Sequence, residues 1–565
     1  MALDPDLAGV EPIYRGQLQS VGQIGSIVRF PQGPVTLIGG VTLVGIAELN
    51  SPLPPAENVQ VGERWLKVQL LGEINSLDSF QRGVSTYPGL DDPVHFSTAE
   101  DLRHVFPSND PGLIKFGSLT SASSIPVSLD AAKLVLRHSA VIGSTGVGKT
   151  SAVAEILQAL VADGWPGANV VVIDPHGEYA QAIGDKGSVR SVLDSDRRLR
   201  VPYWALGAEQ ILSAFTGLSP GKTVATKWGE LVAEARTNFV EQAQWLDLDP
   251  SAVTSDTPVP FNIRQVWHRL DWENSETRDE VGDPQTVRLE DAGDPQQLRR
   301  ARFTPYAPAG GRPSRGPTYE HYGRVPEILR LALGNPDFAF FQQPEADPAG
   351  EDPLELAMIE WLGGESPISV LDFSGVPTSV ADLAIGVVLD LLFEVALRSD
   401  ANGPGIGRPR PVLFVLEEAH RYLGEEANEF TARAASRIAR EGRKYGVGLL
   451  MVTQRPSELP ETALAQCGTL IALRLTSGKD QGQIKAALPD NVTGLADVLP
   501  SLRTGEAVVS GEAIVLPVRT TIKRPKPFPK AADPALDSWR KEQGAPNLAP
   551  SLARWRGLYD EGGSD

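Results

Sequence analysis

Residues 143–150 read Gly-Ser-Thr-Gly-Val-Gly-Lys-Thr, a spacing that can bind phosphate groups when a strand precedes it and a helix follows. The apolar run LVLRHSAVI leads in, and a helix is predicted from Lys149 to about Ala162. Gly146 and Gly148 have no Cβ, so the backbone N–H groups can turn toward phosphate oxygens. The positive end of the helix points at the same oxygens. The segment therefore predicts a nucleotide site; the alternative is a glycine-rich turn with an exposed lysine.

Two side chains of this segment have distinct predicted roles. Lys149 supplies a positive charge to the β- and γ-phosphates of ATP, and the Thr150 hydroxyl is a ligand of Mg²⁺. ATP and Mg²⁺ are therefore the predicted cofactors. The predicted nucleotide-binding residues are Gly143, Ser144, Thr145, Gly146, Val147, Gly148, Lys149, Thr150 and Ser151.

A pair of carboxylates follows a second buried strand, in the sequence PVLFVLEEAH. Glu417 is predicted to assist Mg²⁺, often through water, and Glu418 to act as the general base that polarises the attacking water. The first acid of such a pair is usually Asp, so the carboxylate of Glu417 lies one methylene further out. The pairing favours a raised pKa for one of the two acids without indicating which. The alternative is a solvated strand end.

Polar residues also end two other predicted strands, where α/β sheets collect their functional groups. Gln454, in LLMVTQRP, could contact the γ-phosphate or the attacking water. The alternative is a polar strand end that forms a turn with Pro456. Asp174, in VVVIDPHGEY, could support the same site, whereas His176 is expected to be a structural hydrogen-bonding residue.

Composition limits the class of protein. The chain has 565 residues, enough for two to four folded units. Its formal net charge of −19 argues against a surface that attracts DNA everywhere, but it is compatible with a channel lined by local basic residues. The single cysteine, Cys467, cannot form an internal disulfide, which favours the cytoplasm. The best apolar window is interrupted by Asp390 and Glu394, so no membrane span is expected.

The elements that must position these residues predict an α/β fold. Buried strands alternate with helices over 106–205 and 365–523 around the phosphate-binding segment, which predicts an α/β P-loop ATPase core. Amphipathic helices and a polar loop at about 272–318 predict a helical insertion over 206–364. Short β-rich runs over 1–105 predict a small N-terminal β-barrel. The Pro-rich run KRPKPFPK opens a predicted C-terminal extended strap with short helices over 524–565.

Four blocks together resemble the HerA branch of the HerA–FtsK superfamily of hexameric DNA-translocating ATPases, with a DUF87-type ATP-binding domain. They are RHSAVIGSTGVGKT, IDPHGEY, FVLEEAHRYL and IAREGRKYGVGLLMVTQRPSELPETALAQCGTLIALRL. The resemblance covers about 130–205 and 365–523, and it implies that the α/β core over 106–205 and 365–523 is RecA-like. The N-terminal part is similar to the HAS-barrel of that family only by type and position.

The resemblance implies further site residues. Arg137 aligns with a family arginine thought to reach the nucleotide of the neighbouring subunit. Arg443, in the EGRK motif, is a second candidate for contacting the γ-phosphate, in cis or in trans. From composition alone both would be ordinary surface or ion-pair arginines.

The resemblance also implies a function. A homohexamer would thread double-stranded DNA through a central channel, working with a separate nuclease of NurA-like type or a defence effector such as a Sir2-like enzyme or another nuclease. The cellular role would be DNA end processing or anti-phage defence. The alternative is a nucleotide-controlled ring scaffold that assembles and switches an effector enzyme, with little translocation.

A cluster of basic and aromatic residues in the predicted insertion could contact DNA backbone and bases. A solvated face or an inter-subunit contact is the alternative. The cluster consists of Arg299, Arg300, Arg302, Phe303, Tyr306, Arg312 and Arg315.

Overall fold

The chain divides into two compact units. The first comprises Met1–Val189, Glu365–Leu371 and Phe393–Asp533; the second comprises Arg190–Gly364, Asp372–Leu392 and Pro534–Asp565. The computed structural model of the chain describes residues 13–14, 17–18, 24–46, 64–77, 79–89, 91–107, 110–162, 164–194, 196–307, 311–338, 340–341, 347–488, 493–530, 539–540 and 545–556.

The N-terminal part of the first unit is an antiparallel sheet with the strand order β6-β5-β4-β3-β7. The strands of this sheet are β3 (Ile27–Gln32), β4 (Val35–Ile46), β5 (Arg64–Ile74), β6 (Phe80–Arg82) and β7 (His95–Phe96), and α1 (Ala99–Val105) follows them. Before them, β1 (Ile13–Tyr14) and β2 (Gln17–Leu18) form a separate antiparallel pair. Val28, Leu37 and Leu66 are buried on one face and form a small apolar cluster. The closure of this sheet into a barrel stays a prediction.

The chain then enters the predicted ATPase core. The elements are β8 (Leu113–Leu119), β9 (Ala122–Asp130), α2 (Ala131–Leu136), β10 (Ser139–Ile142), α3 (Lys149–Ala162), β11 (Val170–Asp174), α4 (Ala180–Ile183) and β12 (Ser188–Ser191). Every residue of β10 is buried, and α3 has the bounds predicted from the sequence. The predicted strand–loop–helix arrangement around residues 143–150 is therefore confirmed.

The second unit is mainly helical. Its main elements are α5 (Ala208–Thr216), α6 (Lys222–Val240), α7 (Ile263–Ser275), β13 (Thr277–Arg278), β14 (Leu289–Asp291), β15 (Arg302–Phe303), β16 (Ser314–Arg315), α8 (Val325–Leu333) and α9 (Pro353–Trp361). The buried guanidinium of Arg236 donates to the backbone carbonyls of Trp204 and Leu206 at 2.7 and 2.6 Å. These bonds tie α6 to the segment before α5.

The sequence predicts a polar loop at about 272–318, but the structure shows that parts of this stretch form strands. It includes two short antiparallel pairs, β13 with β16 and β14 with β15. Strands of two or three residues are too short for a period-two pattern to appear in the sequence.

Basic residues of this stretch have partners within the second unit. Arg300 forms an ion pair with Asp271 at 2.8 Å. The guanidinium of Arg315 lies 4.3 Å from the ring centroid of Tyr306, a cation–π contact. These contacts give the cluster a structural role in the fold of the second unit.

The chain returns to the first unit with strands that complete an 11-stranded sheet of order β12-β17-β11-β18-β19-β10-β20-β21-β22-β8-β9. The remaining elements are β17 (Ile368–Asp372), α10 (Thr378–Arg398), β18 (Val412–Leu416), α11 (His420–Leu423), α12 (Glu429–Glu441), β19 (Val447–Thr453), α13 (Glu461–Ala465), β20 (Thr469–Ala472), α14 (Gly478–Ala487), α15 (Thr493–Ala496), β21 (Glu506–Gly511), β22 (Val518–Ile522) and α16 (Ala549–Trp555). Within the described part of the chain, no helix is both long enough and apolar enough to cross a bilayer.

The centre of this sheet is parallel, which confirms the predicted α/β class. Strand β10 pairs in parallel with β19 on one side and β20 on the other, and β18 pairs in parallel with β19 and β11. The carboxyl ends of β10, β11, β18 and β19 therefore meet at one edge of the sheet. The loops that follow these four strands contain the predicted catalytic residues other than the two arginines.

Candidate active site

The loop from Gly143 to Gly148 leaves the central strand and is held by neighbouring backbone. The Gly143 N–H donates to the carbonyl of Thr453 at 3.3 Å, and the Ser144 N–H donates to the carbonyl of Arg474 at 3.0 Å. Gly146 and Gly148 have φ angles of +75° and +104°. Residues with a Cβ rarely adopt such angles, so this path around a phosphate group depends on glycine.

Lys149 lies at the base of the loop, where its ammonium donates to the carbonyl of Ser144 at 3.2 Å. The pKa of Lys149 is lowered, because the effect of burial outweighs the opposite effect of the nearby carboxylates of Glu417, Glu418 and Glu178. The partly buried ammonium of Lys149 is therefore placed to bind the negatively charged oxygens of a triphosphate.

Glu418 lies two residues after the end of β18, in a conformation that is costly for a residue with a side chain. Its φ angle is +53°. Strain of this kind is often found at functional positions. Gln454 connects Glu418 to the phosphate loop, because its amide N–H donates to Glu418 Oε1 at 3.1 Å and its Oε1 accepts from the Thr145 hydroxyl.

The second oxygen of Glu418 is buried next to His420. Among the described residues, Glu418 Oε2 is buried without a hydrogen-bond partner. His420 Nδ1 lies 3.3 Å from this oxygen and 3.1 Å from the hydroxyl of Thr453. Burial lowers the pKa of His420, which favours the neutral imidazole beside the carboxylate.

Glu417 occupies a different environment from its neighbour. Its side chain is buried, and Oε1 accepts a hydrogen bond from the phenol of Tyr179. Burial raises the pKa of Glu417 to about 8, the hydrogen bond from Tyr179 lowers it, and the charges of Glu178 and Glu418 raise it further. Of the two acids, Glu417 is therefore the one whose protonated form is favoured.

The loop after β11 brings a third acid to the site. Asp174 accepts from the backbone N–H groups of Gly177 at 2.8 Å and Tyr179 at 3.0 Å, so this carboxylate folds the loop. Glu178, on the same loop, accepts from the Thr150 hydroxyl at 2.7 Å. Asp174 thus supports the site indirectly, and His176 takes part in the same turn through its backbone N–H.

The two arginines suggested by the resemblance lie elsewhere. Arg137 ends α2, just before β10, and forms an ion pair with Glu512 at 3.6 Å. Arg443 is exposed in the turn before β19. Because β10 and β19 are parallel, both arginines lie at the amino edge of the sheet, whereas the phosphate loop lies at the carboxyl edge.

The residues at the carboxyl edge fit Mg²⁺. Mg²⁺ prefers oxygen ligands and usually keeps several waters in addition to one or two carboxylates and substrate phosphates. The Thr150 hydroxyl and the carboxylates of Glu178, Glu417 and Glu418 supply such oxygens beside Lys149. Within the described ranges there is no group of three or more His, Cys, Asp or Glu residues arranged to hold a metal ion. A nucleotide-bound ion that keeps most of its water ligands is consistent with this set.

Sequence reasoning missed Glu178, Tyr179 and His420. One signal for Glu178 was available, because an acid four residues after the end of one buried parallel strand can meet acids at the end of the adjacent strand. Pairing of β11 with β18 creates that meeting.

Two family models match the chain. The model for the central domain of helicase HerA, DUF87, matches residues 114–392, and the model for the helicase HerA-like C-terminal domain matches residues 392–517. Together the two matches include every residue of the site described above.

Individual relatives agree with the models. The chain is 26% identical over 442 residues to the DNA double-strand break repair helicase HerA of Pyrococcus furiosus, covering 76% of this chain and 72% of that protein. It is also 26% identical to a probable helicase of Methanocaldococcus jannaschii, over 85% of this chain and 83% of the relative. The solved structure of VirB4 from Thermoanaerobacter pseudethanolicus is similar with a TM-score of 0.46 and 16% identity, over 74% of this chain and 97% of that chain.

Proposed function

Because the chain belongs to the HerA family of P-loop ATPases, we propose that it is a motor that forms a hexameric ring and translocates double-stranded DNA. The motor hydrolyses ATP in the presence of Mg²⁺, and a separate nuclease or effector subunit acts on the DNA. Two relatives, from Pyrococcus furiosus and Sulfolobus acidocaldarius, are DNA double-strand break repair helicases, which supports DNA as the substrate.

The observation that carries the hydrolytic part of this proposal is the hydrogen-bonded connection from Thr145 through Gln454 to Glu418. It ties the phosphate loop to the proposed base, so a change at the γ-phosphate can alter the position of Glu418. The side-chain amide of Gln454 is within reach of both partners and can also orient the attacking water.

In the proposed reaction, each group of this chain has one task. Lys149 and the backbone N–H groups of the loop bind the phosphates, and the helix dipole of α3 adds to them. Glu418 Oε2 accepts the proton of the attacking water, and Gln454, which donates to Glu418 Oε1, keeps that carboxylate oriented. Mg²⁺, when bound with the nucleotide, neutralises charge on the phosphate oxygens.

The ring is supported by the position of Arg137 and Arg443. Both lie at the edge of the sheet opposite their own phosphate loop, so neither can reach a nucleotide bound in the same chain. In a head-to-tail ring, the amino edge of one copy can meet the carboxyl edge of the next. An arginine supplied in this way stabilises charge on the transferred phosphoryl group.

Two variants test the motor. Lys149→Ala is expected to abolish ATP binding, hydrolysis and displacement of a third strand from a triplex DNA substrate, while the ring still forms. Glu418→Gln is expected to bind ATP normally and to lose at least about 100-fold in kcat, the usual contribution of a general base. DNA-independent hydrolysis by the wild-type chain, with no DNA binding at low salt, would contradict the proposal.

The Glu418→Gln variant also separates a motor from a nucleotide-controlled scaffold. A ring that cannot hydrolyse ATP but still supports the full activity of its effector subunit acts as a scaffold. Loss of effector activity together with hydrolysis supports translocation.

A further inference from the structure

Glu178 contacts the residue that is expected to bind the metal. The Thr150 hydroxyl, the predicted ligand of Mg²⁺, donates to Glu178 Oε2 at 2.7 Å. Glu178 also lies close enough to Lys149 for its charge to act on the ammonium group. The carboxylate therefore borders the volume in which the nucleotide phosphates would lie.

Glu417, the acid predicted to assist Mg²⁺, has other partners. Its Oε1 accepts from the phenol of Tyr179, and its Oε2 accepts from the backbone N–H of Glu418 at 3.3 Å. The side chain is 5% exposed. Both oxygens thus take part in holding neighbouring groups, and the hydrogen bond of the Thr150 hydroxyl goes to Glu178.

The spacing of the Thr150 and Glu178 oxygens fits an octahedral ion. Mg²⁺ binds its ligands at 2.0–2.1 Å, which places adjacent ligand oxygens about 2.9 Å apart. The two oxygens are already 2.7 Å apart in the structure. If this pair moved slightly apart, one ion could bind both oxygens as adjacent ligands, and the Thr150 hydroxyl would exchange its hydrogen bond with Glu178 for a bond to the metal.

The backbone on both sides of Glu178 is fixed, which limits the movement of its carboxylate. Asp174 accepts from the N–H groups of Gly177 and Tyr179, one on each side of Glu178. The carbonyl of Glu178 accepts from the Lys530 N–H at 3.0 Å, in the segment that follows β22. A ligand held in this way needs little reorganisation when the ion arrives.

We propose that Glu178, rather than Glu417, supplies the carboxylate that faces the Mg²⁺ of the bound nucleotide, directly or through one water, beside Thr150. Glu417 then acts as a positioning residue that holds Tyr179 and the backbone of Glu418. This assignment rests on the proposed function as an Mg²⁺-dependent ATPase.

The test uses Mn²⁺ as a spectroscopic substitute for Mg²⁺ in the full-length chain. Electron paramagnetic resonance titrations measure Mn²⁺ affinity in the presence of ADP, and separate titrations measure ADP affinity in EDTA. The variant Glu178→Gln keeps an oxygen that can accept from Thr150, so a purely structural role is preserved. Glu178→Asp keeps the charge but withdraws it by one methylene. The control, Asp185→Asn, removes one charge from an exposed residue of the same segment.

Glu178→Gln is expected to weaken Mn²⁺ binding to the ADP complex by about tenfold or more. Its ADP affinity in EDTA should equal that of the wild-type chain, and Asp185→Asn should match the wild type in both titrations. Glu178→Asp should lie between the wild type and Glu178→Gln.

Two results would overturn the assignment. If Glu178→Gln binds Mn²⁺ with wild-type affinity and still binds ADP, the role of Glu178 is contradicted and the proposed function is not. The same conclusion follows if Glu417→Gln loses Mn²⁺ affinity and Glu178→Gln does not. Failure of the wild-type chain to bind ADP at all contradicts the proposed function as well.

Discussion

Arg137 allows a direct test of whether a complete active site needs two copies of the chain. Arg137 precedes β10 and the phosphate loop follows it; β10 alone spans about 13 Å at about 3.3 Å per residue. An arginine side chain is shorter than that distance. Arg137→Ala is therefore expected to impair hydrolysis in the neighbouring copy and to leave nucleotide binding in its own copy intact.

The expected loss follows from the role of a trans arginine. Such a residue contributes at least about 10³-fold to kcat, or about 4 kcal/mol of transition-state stabilisation. The ion pair between Arg137 and Glu512 is long, at 3.6 Å, and both side chains are partly exposed. An exposed pair of this kind is worth at most about 1 kcal/mol, so it does not keep Arg137 from a phosphate.

A mixing experiment separates action in trans from action in cis. Lys149→Ala chains have an intact Arg137, and Arg137→Ala chains have an intact phosphate loop. If the arginine acts in trans, an equal mixture has both intact partners at about one quarter of its interfaces, so about one quarter of wild-type activity returns. If it acts in cis, no site in the mixture is complete.

The assay is steady-state ATPase activity with DNA after the two variants are dissociated and reassembled together. Native mass spectrometry establishes that mixed rings have formed. Lys133→Ala, on the exposed side of the same helix, is the matched control and should retain wild-type activity. Verified mixed rings without recovered activity would refute the placement of Arg137 in the neighbouring site.

Three further outcomes are expected. Gln454→Ala should lower kcat by about 100-fold with little change in KM, because it releases the proposed base from its fixed position. Steady-state rates over a range of ATP concentrations measure both constants. Glu418→Gly should be about 1 kcal/mol more stable than Glu418→Ala, since only glycine adopts a φ of +53° without strain, and equal urea midpoints would contradict that reason. Burial lowers the pKa of His138 to about 4 from about 6.5 in the unfolded chain. The unfolded chain then binds more protons than the folded chain, so the free energy of unfolding should fall by about 1.4 kcal/mol per pH unit between pH 6.5 and 4. Urea titrations at pH 7 and 5 measure this fall, and His138→Gln should lack it.

The phosphate loop was predictable because its determinants are local. Glycines at fixed spacing, an apolar run before them and a helix-forming run after them all lie within about one supersecondary unit. The bounds of α3 follow from that pattern, and the structure has the same bounds.

The carboxylates were harder to assign because their environments depend on distant parts of the chain. Glu417 and Glu418 are adjacent in sequence, yet one meets Tyr179 and the other meets Gln454. The order β11-β18-β19-β10 creates both contacts. Sequence spacing indicated two acids at a strand end and gave no means of telling which would be buried, and Glu178 entered the site only through the same strand order.

The dependence of recovered activity on the mixing ratio also distinguishes interfaces that work independently from interfaces that work together. If each interface works independently, the complete sites follow the product of the two variant fractions, so activity rises and falls symmetrically around an equal mixture. If the ring hydrolyses ATP only when several of its sites are complete, the plot of activity against mixing ratio would instead show a narrower peak with a lower maximum. A curve that rises steadily toward one pure variant would mean that this variant is active alone. Either of the first two shapes requires that Lys149 and Arg137 of one working site come from different chains.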